Sequence, residues 1–438
     1  MYIKMKKRSK IIIISILSVL ILLACAAGIY LYGIFHRITN SPVLNNATRE
    51  EMWLSDLSFV KRELPKKHKN LFFSKTKTDF NNEMDLLIGN IEKYDDMEIK
   101  AELAQIINTV NDSHTFVDIR GSLIYPISFF EFEEGIYLNN TSIKYKDFWG
   151  KRLVSINGYS IEQLRSKLSP YISHDNQAIE KNGFCNSLKY VETLKMAGIT
   201  KNNEALFTFE GDTRNEVIVE PLNRDDYYNV EALTDMPEYI SKFPITKHSM
   251  DKNYWFIYNE DTNTVYVKYN SCSNTTGYSF ANFTKDVFNA VDNNKARALI
   301  IDLRDNGGGN SAIFNPFIRE IKKRGSINSE DNLFVIIGRK TFSSAVLNAM
   351  DLRNDTNAAL IGEPSGGRPN HFGEVKILHL SNVNIDVYYS SNYFKTTKDD
   401  TDSIYPDVNI NTKASSYFSG KDDCLDYIFS KIEVEKNN

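Results

Sequence analysis

An α/β class, α+β over the whole chain, is predicted by three observations. Short apolar runs at 298–304, 333–338 and 358–362 are bounded by charged or turn-forming residues, the pattern of buried parallel strands. Helical stretches at 312–323 and from 345 onward separate them on short connections, so the strands should run parallel. Each run then ends in a turn-forming cluster: 305–311 (Asp-Asn-Gly-Gly-Gly-Asn-Ser), 339–345 (Arg-Lys-Thr-Phe-Ser-Ser-Ala) and 363–369 (Glu-Pro-Ser-Gly-Gly-Arg-Pro). Ligands collect at the carboxyl ends of such strands. The three clusters should therefore share one rim.

The chain of 438 residues is long for one domain, and two or three are expected. A net charge of −4, with Lys spread rather than blocked, gives no support to a nucleic-acid partner. Residues 1–10 form a basic tail with Lys4, Lys6, Lys7, Arg8 and Lys10, expected in the cytoplasm. Residues 11–35 carry no charge and are long enough for a single transmembrane anchor, which puts the remainder outside the cell membrane. A cleaved signal, or lipid attachment at Cys25 after Leu22-Leu23-Ala24, stand as alternatives. Cys185, Cys272 and Cys424 lack metal-ligand spacing and read as buried small hydrophobes, so no metal site is expected.

After a linker at 36–47, Thr48 and Glu51 form a capping box, and Met52, Leu54, Leu57, Val60 and Leu64 repeat at helical spacing. Helical patterns at 79–93 and 97–110 complete an N-terminal helical unit over 48–120. It closes on Asn111-Asp112-Ser113-His114-Thr115, with His114 at a helix-to-strand junction. Residues 121–225 turn to β texture. Asn157-Gly158 predicts a hairpin, 161–168 and 186–197 short helices, and 205–210 with 215–220 a second hairpin. Such modules bind peptides by strand addition or serve as structural inserts. From 226 to 438 lies the core: an aperiodic connection (to 253), a strand at 264–269, a helix at 278–294, strands at 374–380 and 385–389, and a final helix at 423–431.

Ser343 or Ser344, at a strand-to-helix turn, would lift a hydroxyl above the sheet. Amides of the 307–309 loop and of Ala345 could then receive an oxyanion. A helix cap and a plain glycine turn are the structural alternatives. No Gly-x-x-x-x-Gly-Lys-Ser/Thr pattern occurs, which argues against nucleotide binding.

The combination of 303–309, 341–345 and 362–367 resembles the tail-specific (C-terminal processing) serine peptidases. It is most similar to their tricorn-core and retinoid-binding-protein-like branch, and 112–115 resembles that branch's histidine motif. The resemblance covers roughly residues 48–432. It implies a crotonase-like ββα/βαβ core, a PDZ-like module at 121–225 that holds substrate tails, and no metal or organic cofactor. It further implies Ser344 as nucleophile and His114 as base after Ser113, with Asp400 (or Asp402) as the supporting carboxylate. Gly308 and Ala345, with Gly307, would be the oxyanion donors. Arg368 stands where lysine-dependent members carry their base; a guanidinium stays protonated, so it would hold a substrate carboxylate instead. His371 is a second candidate base. The implied activity is cleavage of peptides or protein tails. A peptidase-like protein that binds tails or a small apolar ligand without cutting is the alternative, and an esterase-like hydrolase a third.

Overall fold

Polar alternation is absent from the central strands because both of their faces are covered. Thr264–Tyr269, Ala298–Asp302 and Leu333–Ile337 are buried at every position. The computed structural model describes residues 37–211 and 215–436. Its central sheet runs Tyr254–Asn259, Thr264–Tyr269, Ala298–Asp302, Leu333–Ile337, Ala359–Gly362 and Val408–Asn409. All neighbours are parallel except the first pair, a hairpin. Helices Phe280–Asn293, Asn315–Lys322 and Ser344–Asp355 cover one face, burying Phe283, Phe317 and Val346 against it. Helix Asp423–Lys436 covers the other face through Leu425, Ile428 and Ile432.

A second sheet carries the N-terminal unit to this core. The long hairpin His371–Leu380 and Ile385–Phe394 pairs with Ile38–Asn40 in parallel and with Phe116–Val117 antiparallel. Helices Arg49–Lys67, Lys77–Gly89 and Asp96–Asn108 pack on it in one apolar cluster that includes Leu57, Phe80, Leu103 and Val387. Thr48 and Glu51 form the expected reciprocal cap on the first of these helices. Pairing with Phe116–Val117 is the step that matters for chemistry, because His114 sits just before that strand.

In the middle module, Leu153–Ile156 and Tyr159–Ser160 turn through Asn157 and Gly158, both at positive φ (49° and 80°), as an Asn-Gly hairpin requires. They join Ala205–Phe209 and Glu216–Val219 in a four-stranded sheet.

Several expectations are corrected. The helix expected at 186–197 is two: Gln177–Ser187, capped by Asn176, and Val191–Met196. Helix 312–323 begins as a tight turn at Ser311–Phe314 and becomes α-helical from Asn315, where Pro316 occupies the first turn. The connection through 226–253 contains short helices, among them Arg224–Asn229 and Pro237–Ile240. Placement in the cell membrane is also corrected: among the described residues no helix is long and apolar enough to cross a bilayer. The span expected at 11–35, with Cys25, lies outside the described residues. Cys185, Cys272 and Cys424 are free and buried, as read from their spacing.

Candidate active site

Asn306 organises the glycine loop. Its amide nitrogen donates to the Tyr269 carbonyl (3.0 Å), its side-chain oxygen accepts from the Gly308 amide (2.9 Å), and its carbonyl accepts from the Phe342 amide (3.0 Å). One residue thus ties the loop to two neighbouring strand ends. Gly308 lies at φ +110°, and a Cβ there would stand 2.8 Å from Ser343 Cβ and 3.0 Å from the Ser344 nitrogen. The backbones touch, so glycine is required. Gly308→Ala should therefore push the serine turn out of place and lower its reaction with a fluorophosphonate at least about 100-fold, the usual result of an ångström-scale displacement. An unchanged labelling rate would contradict this packing.

Ser343 itself occupies φ 53°, ψ −125°, a conformation that side chains rarely adopt, at the mouth of helix Ser344–Asp355. Its hydroxyl makes no capping bond. Such strain, worth roughly 1–3 kcal/mol, clusters at functional sites. Ser344 differs: its hydroxyl donates to the Gly309 carbonyl at 2.7 Å.

Two of the expected oxyanion donors are engaged. The Gly308 amide is held by Asn306, and the Ala345 amide donates to the Phe342 carbonyl at 3.1 Å. The amides of Gly307, Gly309 and Ser344 have no acceptor among the described residues.

His114 meets this turn across 230 positions of sequence. Its ring stacks on Phe342 (centroids 4.3 Å, planes 21° apart) and against His371 (5.7 Å, 15°). It is buried, and neither ring nitrogen has a hydrogen-bond partner among the described residues. A fully unsatisfied buried imidazole is rare and calls for a partner that arrives with function. Burial lowers its pKa to about 4; the negative charge of Asp112 opposes that shift and His371 adds to it. The imidazole is therefore neutral at ordinary pH and able to accept a proton.

The carboxylate facing His114 is Asp112, whose Oδ1 lies 3.8 Å from Nδ1. Asp112 is itself buried and accepts from the Thr115 hydroxyl (2.6 Å), the His114 amide (3.0 Å) and His68 Nε2 (3.1 Å). His68 Nδ1 accepts the Asn70 amide, so its proton sits on Nε2 and is donated to Asp112. Burial alone would raise the Asp112 pKa. The His68 hydrogen bond and the neighbouring His114 outweigh it and leave the value at about 2. Asp112 is ionised throughout the working range.

Asp400 stands elsewhere. Its side chain is 62% exposed and pairs with Arg368 at 3.4 Å. Asp402 accepts the Tyr405 hydroxyl. Arg368 is thereby occupied by a carboxylate of its own chain. His371 hydrogen-bonds the Arg368 carbonyl through Nδ1 (2.9 Å), and burial lowers its pKa. Ser113 is buried next to His114, and nearby Asp175, half-buried, has its pKa raised to about 6 by desolvation, which outweighs the lowering by the Ser113 hydroxyl. No local signal in the sequence points to His68, 44 residues before Asp112, or to Asp175.

Residues 263–332 match the model of peptidase family S41. Mature CPAF complexed with lactacystin has a similar fold: TM-score 0.62 at 13% identity, over 89% of this chain and 98% of that one. The CPAF S499A mutant aligns equally, with TM-score 0.63, 13% identity and coverage of 89% and 98%. No curated protein matches the chain.

Proposed function

We propose that this chain, whose residues 263–332 match the model of peptidase family S41, is a serine-type peptidase that cleaves peptides or protein tails with Ser343 as nucleophile and His114 as base. The observation that carries this reading is the buried, unsatisfied His114 ring stacked on Phe342, the residue directly before a strained Ser343. The motif-based alternative is Ser344. Its hydroxyl proton rests on a backbone carbonyl, which cannot act as a base, so Ser343 is the better candidate.

In this scheme Ser343 Oγ attacks the scissile carbonyl as His114 takes its proton. The oxyanion forms against the helix N-terminus, where the Ser344 amide and a glycine amide (Gly307 or Gly309) are unspent. His114 then returns the proton to the leaving amine, and a water repeats the sequence on the acyl-enzyme. Asp112, held by His68 and Thr115, stabilises the imidazolium by its charge at 3.8 Å. This assigns to Asp112 the role that the sequence resemblance gave to Asp400.

The test is reaction of the intact protein with a fluorophosphonate, followed by peptide mapping. An adduct on Ser343 that disappears in His114→Ala supports the scheme. Failure of the folded parent to react, even with peptides present, would favour a peptidase-like binding protein.

A further inference from the structure

Strand Tyr254–Asn259 ends the central sheet on one side, and among the described residues it pairs with Thr264–Tyr269 alone. Its sequence, Tyr-Trp-Phe-Ile-Tyr-Asn, holds no charge and no proline. Folds ordinarily blunt such an edge with lysine, proline, a bulge or a short strand. The opposite end of the same sheet obeys that rule, since Val408–Asn409 is two residues long. A longer, uncharged and aromatic edge is a template for another strand.

The hydrogen-bond phase identifies the residues that offer it. The Asn270 amide donates to the Asn253 carbonyl at 2.8 Å, one step beyond the opposed pair Tyr254 and Tyr269. Antiparallel bonding alternates. Trp255, Ile257 and Asn259 therefore bond to the neighbouring strand, and Tyr254, Phe256 and Tyr258 turn their N–H and C=O groups outward. Across the neighbour, the Arg297 amide donates to the Asn263 carbonyl at 2.8 Å, which gives the same phase. No other described element bonds the outward groups. The side chains are only partly covered as well. Phe256 and Tyr258 are half-buried on the helix side, with Phe256 at 5.8 Å from Phe283, and Ile257 on the other face is 43% exposed.

We propose that this edge pairs antiparallel with the same strand of a second copy, about a two-fold axis at Phe256. Outward residues must oppose outward residues for the bonds to form. With the axis at Phe256 all three are used: Phe256 faces its own copy, and Tyr254 faces Tyr258 on either side. An axis at Ile257 would instead set Tyr254 against Glu260, which lies in the turn. In the chosen register Trp255 of the second copy covers Ile257, an aromatic residue against a β-branched one. Lys252 then stands opposite Glu260, both exposed, so unlike charges flank the pairing at each end. Asp251 and Asp261, one step further out, sit in turns past the paired stretch. The contact is self-complementary and closes at two copies, which is why an unblunted edge is tolerated.

Sedimentation equilibrium of the intact protein is expected to show a dimer at micromolar concentration. Ile257→Lys, at an exposed position, should raise the dissociation constant at least about 100-fold by setting an unpaired charge against Trp255. Phe256→Pro should do the same, because it deletes an outward N–H and no bond to the neighbouring strand. Glu260→Lys should weaken the dimer, and Lys252→Glu/Glu260→Lys restore it. Cysteines read the register. Opposed residues of a hydrogen-bonded pair lie about 5.5 Å apart at Cα, within disulfide reach. Phe256→Cys therefore joins two copies under mild oxidation, whereas Tyr258→Cys, about 14 Å from its own copy, does not. The parent with its native cysteines is the blank. A monomer at every concentration, a dimer that withstands Ile257→Lys, or equal cross-linking at 256 and 258 overturns the proposal. So does a dimer lost on removal of residues 1–36, which would assign the contact to that segment.

Discussion

Ser343→Ala is expected to reduce fluorophosphonate labelling and peptide hydrolysis to background, a loss of about 10⁴- to 10⁶-fold, the scale seen when a serine nucleophile is removed. Ser344→Ala should stay within about tenfold of the parent. The contrast follows from what each hydroxyl touches. Ser343 is uncapped, strained at φ 53° and one residue from the ring that stacks on His114. Ser344 donates to the Gly309 carbonyl, and its removal costs one partly exposed hydrogen bond, on the order of 1 kcal/mol. Its backbone amide, the proposed oxyanion donor, survives the substitution. A reversed result, with Ser344→Ala inert and Ser343→Ala active, would assign the nucleophile to Ser344 and require its hydroxyl to swing off Gly309.

The rim of the central sheet was legible because it is built from local signals. Continuous apolar runs identified the parallel strands, and glycine and serine clusters marked the turns at their ends. The distinction between Ser343 and Ser344 was not legible. Both serines satisfy the same motif, and only the backbone torsion, set by Gly308 pressing on Ser343 Cβ, separates them. His114 was readable as a candidate from its motif, yet its burial was not. Burial arises when the hairpin of His371–Leu380 and Ile385–Phe394 pairs with Phe116–Val117 and closes over the ring. That Asp112 faces the His114 ring was not legible, because a residue two positions from the histidine reads as part of a turn. His68, which fixes it, comes from a different helix end. Asp400 fitted a sequence position, but its side chain is spent on Arg368. That the Gly308 and Ala345 amides are engaged, by Asn306 and the Phe342 carbonyl, was not legible for a similar reason: whether an amide is free depends on which carbonyl or side chain folds back on it.

The pH dependence offers the sharper test of His114. Burial places its pKa at about 4, against the ordinary value of about 6.5. The labelling rate of the free protein should then stay level from pH 8 to pH 5 and fall to half near pH 4, because the base is lost only when His114 is protonated. A half-point near 6.5 would mean that the ring is solvated or is not the base. Stability must follow the same linkage. The folded pKa lies below the unfolded one, so on acidification the unfolded chain takes up a proton that folded His114 refuses. The stability that depends on neutral His114 is complete above pH 6.5 and is lost as pH falls toward 4. A shift of this size amounts to about 3 kcal/mol. Asp175, raised to about 6, works in the opposite sense, since its folded form keeps a proton that the unfolded chain releases. The two effects overlap between pH 4 and 6 and can cancel in the parent alone. Comparison with His114→Gln removes the overlap, because Asp175 is present in both proteins. The stability of the parent relative to this variant is expected to fall by about 3 kcal/mol between pH 7.5 and pH 3.5, measured by urea unfolding. A constant difference across that range would show that His114 titrates alike in the folded and unfolded chains, and with it the buried neutral base would be lost from the mechanism.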